Sequence, residues 1–172
     1  TGSFHLDHDD FGPEAKVIDA AGKYVIPGLI DAHVHFGTPS HALAGSLTDP
    51  DYVLKLWLAH GITTVRDAGC LMGLGWTLEH KRRSEAGEIA APRIEAYALF
   101  PETMASPEDA RRFVRAVNKR GADGIKFLGA APESVRAAID EAKKLDMKTM
   151  YHHSQVSVTR TNVLDSARMG LD

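Results

Sequence analysis

Cysteine is almost absent from the 172 residues: Cys70 stands alone, so no internal disulfide and no thiolate-built zinc site can form. Long apolar runs are missing too. No stretch approaches the roughly 18 consecutive apolar residues of a membrane-spanning helix, so none is expected. Charge of one sign is scarce, with 20 basic against 23 acidic residues and a formal net charge of −3. That leaves no clustered basic face of the kind nucleic acid requires. No Gly-x-Gly-x-x-Gly follows an apolar run, and the glycines from Gly69 to Gly75 lack the lysine and spacing of a phosphate loop. What is plentiful is apolar side chain, at 44%, enough for a buried core and against wholesale disorder. Nine histidines are also more than a chain of this length usually carries.

The segment from Gly12 to Pro27 predicts two short strands, residues 15–19 and 24–26, around a Gly22-Lys23 turn. After Pro27-Gly28 the pattern becomes strand, loop, helix, repeated. Strands are expected at 29–35, 62–66, 93–99, 124–128 and 148–153. Helices are expected from about Pro50, over about 77–86, from Pro107, from about Pro132 and over 159–169. The third has the clearest start: Ser106 can cap, Pro107 takes the first turn, and Glu108 and Asp109 suit the positive end of the dipole. Its apolar stripe is Ala110, Phe113, Val114 and Val117.

One helix between successive strands is the βαβ pattern, so a parallel α/β sheet is expected. A doubly wound sheet and a (β/α)8 barrel of TIM type both satisfy it, and a whole barrel takes about 250 residues. The sequence ends Met169-Gly170-Leu171-Asp172, a helix stop leading toward a further strand. A segment of a longer chain is therefore expected.

His33 and His35 lie two apart on the first of these strands, which puts both imidazoles on one face within reach of one cation. They also stand at the strand's carboxyl end, where parallel α/β folds place active sites. Lys126 lies between Ile125 and Phe127 on an otherwise apolar strand, a costly place for an unpaired ammonium. Burial would lower its pKa, and a neutral amine can add carbon dioxide to give a carbamate. His152 and His153 close the fifth strand, where alternation allows only one of them to point inward. His41 sits in the loop after the first strand, within reach of a substrate. His60 suits a helix C-terminus, and His80 belongs with Lys81, Arg82 and Arg83 on what reads as a solvated face. Arg66 and Asp67 read as a structural pair, Tyr97 and Tyr151 as packing, and Cys70 as inert.

The run from Val25 through Pro27-Gly28-Leu29-Ile30-Asp31-Ala32-His33-Val34-His35 resembles the first barrel strand of the amidohydrolase superfamily. Gly61-Ile62-Thr63-Thr64-Val65-Arg66-Asp67-Ala68-Gly69 resembles the second strand of its imidazolonepropionase and Xaa-Pro dipeptidase branch. The segment before Pro27 resembles the small β domain through which such chains pass. The resemblance implies residues 1–27 as part of that domain and 28–172 as roughly the first five β/α units of the barrel.

It further implies His33, His35, Lys126 and His152 as metal ligands, with His152 preferred to His153. His153 and His41 would then be substrate-facing or supporting groups. Two zinc ions bridged by a carbamate on Lys126 are implied, with water activated between them to cleave an amide or other C–N bond. A mononuclear deaminase on the same scaffold, or a catalytically silent metal-binding scaffold, are the alternatives. Family members complete the site with a sixth-strand histidine and an eighth-strand aspartate that moves the proton. Both are expected beyond Asp172, so residues 1–172 alone are expected to be inactive. The expected partner is a small-molecule or dipeptide-like substrate, with neither nucleic acid nor membrane, and self-association is left open.

Overall fold

A computed structural model describes residues 12, 14–16, 18–38, 49–104 and 106–172. Five strands and five helices alternate: β1 (Leu29–Val34), α1 (Pro50–Ala59), β2 (Ile62–Gly69), α2 (Leu74–Glu85), β3 (Arg93–Leu99), α3 (Pro107–Lys119), β4 (Gly124–Phe127), α4 (Pro132–Lys144), β5 (Lys148–Tyr151) and α5 (Val163–Met169). All four pairings are parallel, and the strand order is β1-β2-β3-β4-β5. A doubly wound sheet reverses its strand order at a switch point. This one never reverses, so it is a curled part of a (β/α) barrel of TIM type.

Strand alternation divides the side chains between the helix-covered outer face and the concave inner face. Outward, Val34, Phe36, Val65 and Ile94 pack with Leu54 of α1. Ile125 and Phe127 join Val114 of α3 and Val135 and Ile139 of α4 in a second, larger cluster. Inward, Ile30, Ala32, Thr64, Arg66, Glu95 and Tyr97 line the concave face.

The helix signals act as their chemistry dictates. Ser106 accepts a hydrogen bond from the Asp109 backbone at 3.3 Å, and Ala110, Val114 and Val117 form the buried stripe. Two boundaries differ from the sequence pattern. Helix α2 begins at Leu74, because Gly73 (φ 97°) turns the chain into it earlier than the apolar spacing indicates. Helix α5 begins at Val163, because Asn162 and Asp165 form a capping box there and the preceding residues are spent in turns.

The two N-terminal strands are not formed among the described residues. Asp19 accepts from the Ala21 backbone at 2.8 Å and Lys23 donates to the Ala20 carbonyl at 2.9 Å, giving the expected turn. Tyr24, Val25 and Ile26 are exposed and pair with no strand. A β-branched run becomes a strand only against a partner, and none of the described residues supplies one. Val17 lies outside the described residues. At the entry to β1, Gly28 is required by contact: a Cβ there would collide with the Thr63 side chain.

Candidate active site at the concave mouth

Strand β1 is irregular where the histidines sit. Asp31 stands opposite Val65 and Val34 opposite Asp67, so three steps on β1 match two on β2. Such a bulge re-aims the side chains beyond it. Val34 and Phe36 go outward to the core, and His33 and His35 turn to the concave side. Their rings lie 5.3 Å apart, edge to face. Burial lowers the pKa of both, and the charge of Lys126 lowers them further. His33 is also depressed by His35, Arg66 and His152. Both imidazoles are thereby held neutral, the form whose lone pair a cation can use.

Lys126 is 2% exposed and has no ion-pair or hydrogen-bond partner among the described residues. Its stem passes Gly69 so closely that a Cβ there would sit 3.5 Å from Lys126 Cγ. Burial, then the charge of Arg66, pushes its amine pKa down. It is the group that the Ile125–Phe127 context pointed to, a lysine on the face opposite two core residues.

Just beyond β5, His152 and His153 part. The His152 backbone donates to the Phe127 carbonyl at 2.9 Å, continuing the ladder. Its side chain lines a cavity of about 440 Å³ with Glu102, Leu128, Ser154, Val156 and Ser157. His153 stacks on Tyr151 with ring centroids 4.4 Å apart. Its Nε2 lies 2.9 Å from Ser166 Oγ, whose own proton goes to the Val163 carbonyl at 3.0 Å, so Nε2 donates. His153 is thus held against α5 while His152 faces the mouth. Among the described residues, no three His, Cys, Asp or Glu side chains close into a cation-holding group. The electrostatic influence of His35, Lys126 and His152 on His33 nonetheless marks one shared neighbourhood. His41 lies outside the described residues.

Two sequence expectations are corrected. Arg66 and Asp67 do not pair, because adjacent strand residues point to opposite faces. Arg66 Nε donates to the Ala32 carbonyl at 2.7 Å, and its guanidinium lies 5.1 Å from the centre of the Tyr97 ring on the concave side. Asp67 is buried on the outer side, where Thr77 Oγ1 donates to its Oδ2 at 2.8 Å. His80 is not on a solvated face. It is 6% exposed, with its ring 4.1 Å from that of Trp76 and its Nδ1 donating to the Trp76 carbonyl at 2.9 Å. Of the cations that follow it on α2, only Arg82 is exposed, while Lys81 and Arg83 are partly buried against Asp123 and Asp51. Cys70 is buried, and burial pushes its thiol up to about 12, which suits an inert residue.

The amidohydrolase family model matches residues 24–165. The chain belongs to the amidohydrolase family. Among similar curated proteins, an adenine deaminase of Leuconostoc citreum is 31% identical over 148 residues, covering 77% of this chain and 23% of the relative. An adenine deaminase of Geobacillus kaustophilus is 44% identical over 96 residues, 52% of this chain and 14% of the relative. One of Lysinibacillus sphaericus is 43% identical over 60 residues, 35% of this chain and 9% of the relative. The chain therefore spans between 9% and 23% of the length of these relatives. Amidohydrolase membership agrees with the superfamily resemblance in the sequence. The branch differs, since these relatives are adenine deaminases rather than imidazolonepropionases or Xaa-Pro dipeptidases.

Proposed function

We propose that this chain carries part of the metal site of a hydrolase that cleaves a C–N bond, with deamination of an adenine-like aminopurine as its reaction. The observation that carries the reading is the convergence of two neutral imidazoles, His33 and His35, with the buried, unpartnered amine of Lys126. The donor chemistry fits a divalent cation: neutral imidazoles and a depressed amine on one concave face, with no competing salt bridge to Lys126 among the described residues. His33, His35 and His152 would hold the ion. When bound, such an ion polarises the attacked carbon–nitrogen centre and makes water more acidic.

The chain's own residues prepare that chemistry. The β1 bulge orients the two imidazoles, and their own burial, with the charge of Lys126, disfavours their protonated forms. The cavity beside His152 gives a small planar substrate a place against the mouth. The family and the named activity of the relatives support deamination over amide cleavage.

A second reading, a two-zinc site bridged by a carbamate on Lys126 and acting on an amide or dipeptide-like substrate, is favoured by one observation. Lys126 is 2% exposed without a counter-charge among the described residues, and burial lowers its amine pKa, which favours the neutral form that adds carbon dioxide with loss of one proton. Elemental analysis of the full-length protein, with ammonia release from adenine measured beside a dipeptide panel, separates the two. One metal per chain and ammonia from adenine support the deaminase. Two metals per chain with amide turnover replace it by the second reading. No bound metal and no turnover of either substrate class would overturn both.

A further inference from the structure

Asp67 is 2% exposed, and burial raises its carboxyl pKa to about 6, with Thr77 and Cys70 offsetting part of the rise. One of its oxygens is accounted for by Thr77. The other, Oδ1, is sealed from solvent and has no hydrogen-bond partner. No other carboxylate among the described residues is left in that condition: the buried Glu141 is met by both Arg115 and Lys144. Asp67 has no lysine or arginine ion pair among the described residues; His35 Nδ1 lies 4.0 Å from its orphan oxygen, and the Cys70 thiol is also beside the carboxylate.

A buried carboxylate oxygen without a partner costs its full desolvation penalty, more than a neutral group in the same place. A position that keeps one has a reason outside local stability. The bulge in β1 brings His35 alongside Asp67, since Val34 is the residue paired with Asp67 across the ladder. Nδ1 faces Asp67, so Nε2, on the far side of the ring, faces the concave mouth that His33 and Lys126 share.

We infer that Asp67 is a positioning residue for His35: its Oδ1 accepts the Nδ1 proton, fixing the ring and committing the Nε2 lone pair to the concave site. The approach needed is about 1 Å, from 4.0 Å to ordinary hydrogen-bond length. Thr77 anchors the other oxygen and so holds the carboxylate in the required rotamer. Outer carboxylates of this kind raise ligand basicity and set the tautomer of a metal-binding imidazole. The inference rests on the proposed metal site, and deepens it by naming what aims one of its ligands.

The test uses the full-length protein with ¹⁵N-labelled histidine, stripped of metal by chelation. The His35 signals are identified by their loss in His35→Gln. In the wild-type protein, His35 is expected to carry its proton on Nδ1, against the Nε2 preference of a free imidazole. Finding it on Nε2 overturns the inference, whether or not any variant folds. In Asp67→Ala the proton is expected to move to Nε2, and zinc affinity, read by competition with a chromophoric chelator, to fall about 10- to 100-fold. Unchanged tautomer and affinity in a folded Asp67→Ala protein also overturn it. A wild-type protein that binds no zinc yet holds His35 as the Nδ1 tautomer removes the metal reading and leaves the Asp67–His35 pairing standing.

Discussion

Lys81 of α2 places its ammonium 2.6 Å from both carboxylate oxygens of Asp123, the residue just before β4. Asp123 does more than balance that charge. Its Oδ2 accepts the Ala96 backbone N–H at 2.7 Å, its own N–H donates to the Ala96 carbonyl at 2.9 Å, and its carbonyl accepts from Lys148 at 3.2 Å. One residue, through its side chain and its backbone, thus joins α2 and β3 to the starts of β4 and β5. In barrels the amino end of the strands serves stability, whereas the carboxyl end carries chemistry.

Asp123→Ala leaves the Ala96 N–H without its acceptor and Lys81 without its counter-charge. The expected cost is about 2–4 kcal/mol, from the orphaned donor and the partly buried cation. Denaturant unfolding of the full-length protein measures it. Lys81→Met should cost less, because Asp123 keeps its backbone partner, and neither change should alter metal content.

Gly124 stands directly opposite Tyr97 in the β3–β4 ladder. A Cβ at this position would meet the edge of the Tyr97 ring and lie 2.7 Å from the Lys148 carbonyl oxygen. Backbone cannot yield cheaply, so Gly124→Ala should destabilise by about 1–3 kcal/mol, the usual range for overpacking. The double variant Gly124→Ala with Tyr97→Leu should recover part of that loss, because the ring is half of the obstacle. Equal stability of the single and double variants would place the whole clash on the backbone.

The architecture was legible because the apolar strands and the helix caps carry local signals that tertiary contacts do not override. Ser106-Pro107 and the stripe Ala110, Val114, Val117 are such a case. The candidate ligands stand out in the sequence for a different reason: a pair of imidazoles two apart on a strand, and a lysine between Ile125 and Phe127, contradict their apolar surroundings. What escaped depends on through-space relations. The β1 bulge is a mismatch between two strands, invisible in either alone. His80 is buried because Phe36 and Trp76 meet it from the side its charged neighbours do not face. Asp67 looked like half of an Arg66 pair, yet alternation on a strand sends the two to opposite faces; that rule, applied at the sequence level, would have found it.

Glu141 on α4 is pushed up by burial, but hydrogen bonds and charge from Lys144 and Arg115 outweigh this and hold its carboxyl below the ordinary value. A depressed carboxylate contributes stability above its unfolded pKa and loses it as pH falls through its folded pKa. Glu141→Gln should therefore lower the melting temperature at pH 7. The gap to the wild type should narrow below about pH 4.5 and close once Glu141 itself is protonated. A gap that stays constant from pH 7 down to pH 3 would mean that packing, rather than the Arg115 and Lys144 interactions, is what the substitution removes.

Lys126 separates stability from function most directly. The residue is 2% exposed without a partner among the described residues, so burial disfavours its charged form. Methionine has nearly the same length and no charge, and the stem already runs beside apolar neighbours. Lys126→Met in the metal-stripped full-length protein should raise stability by about 1–3 kcal/mol. With metal supplied, the same variant should lose at least about 10³-fold in hydrolytic turnover, the effect of forfeiting several kcal/mol at a metal site. Stabilisation with full turnover would make Lys126 a bystander to the chemistry, and destabilisation would mean that its ammonium has a counter-charge in the full-length protein.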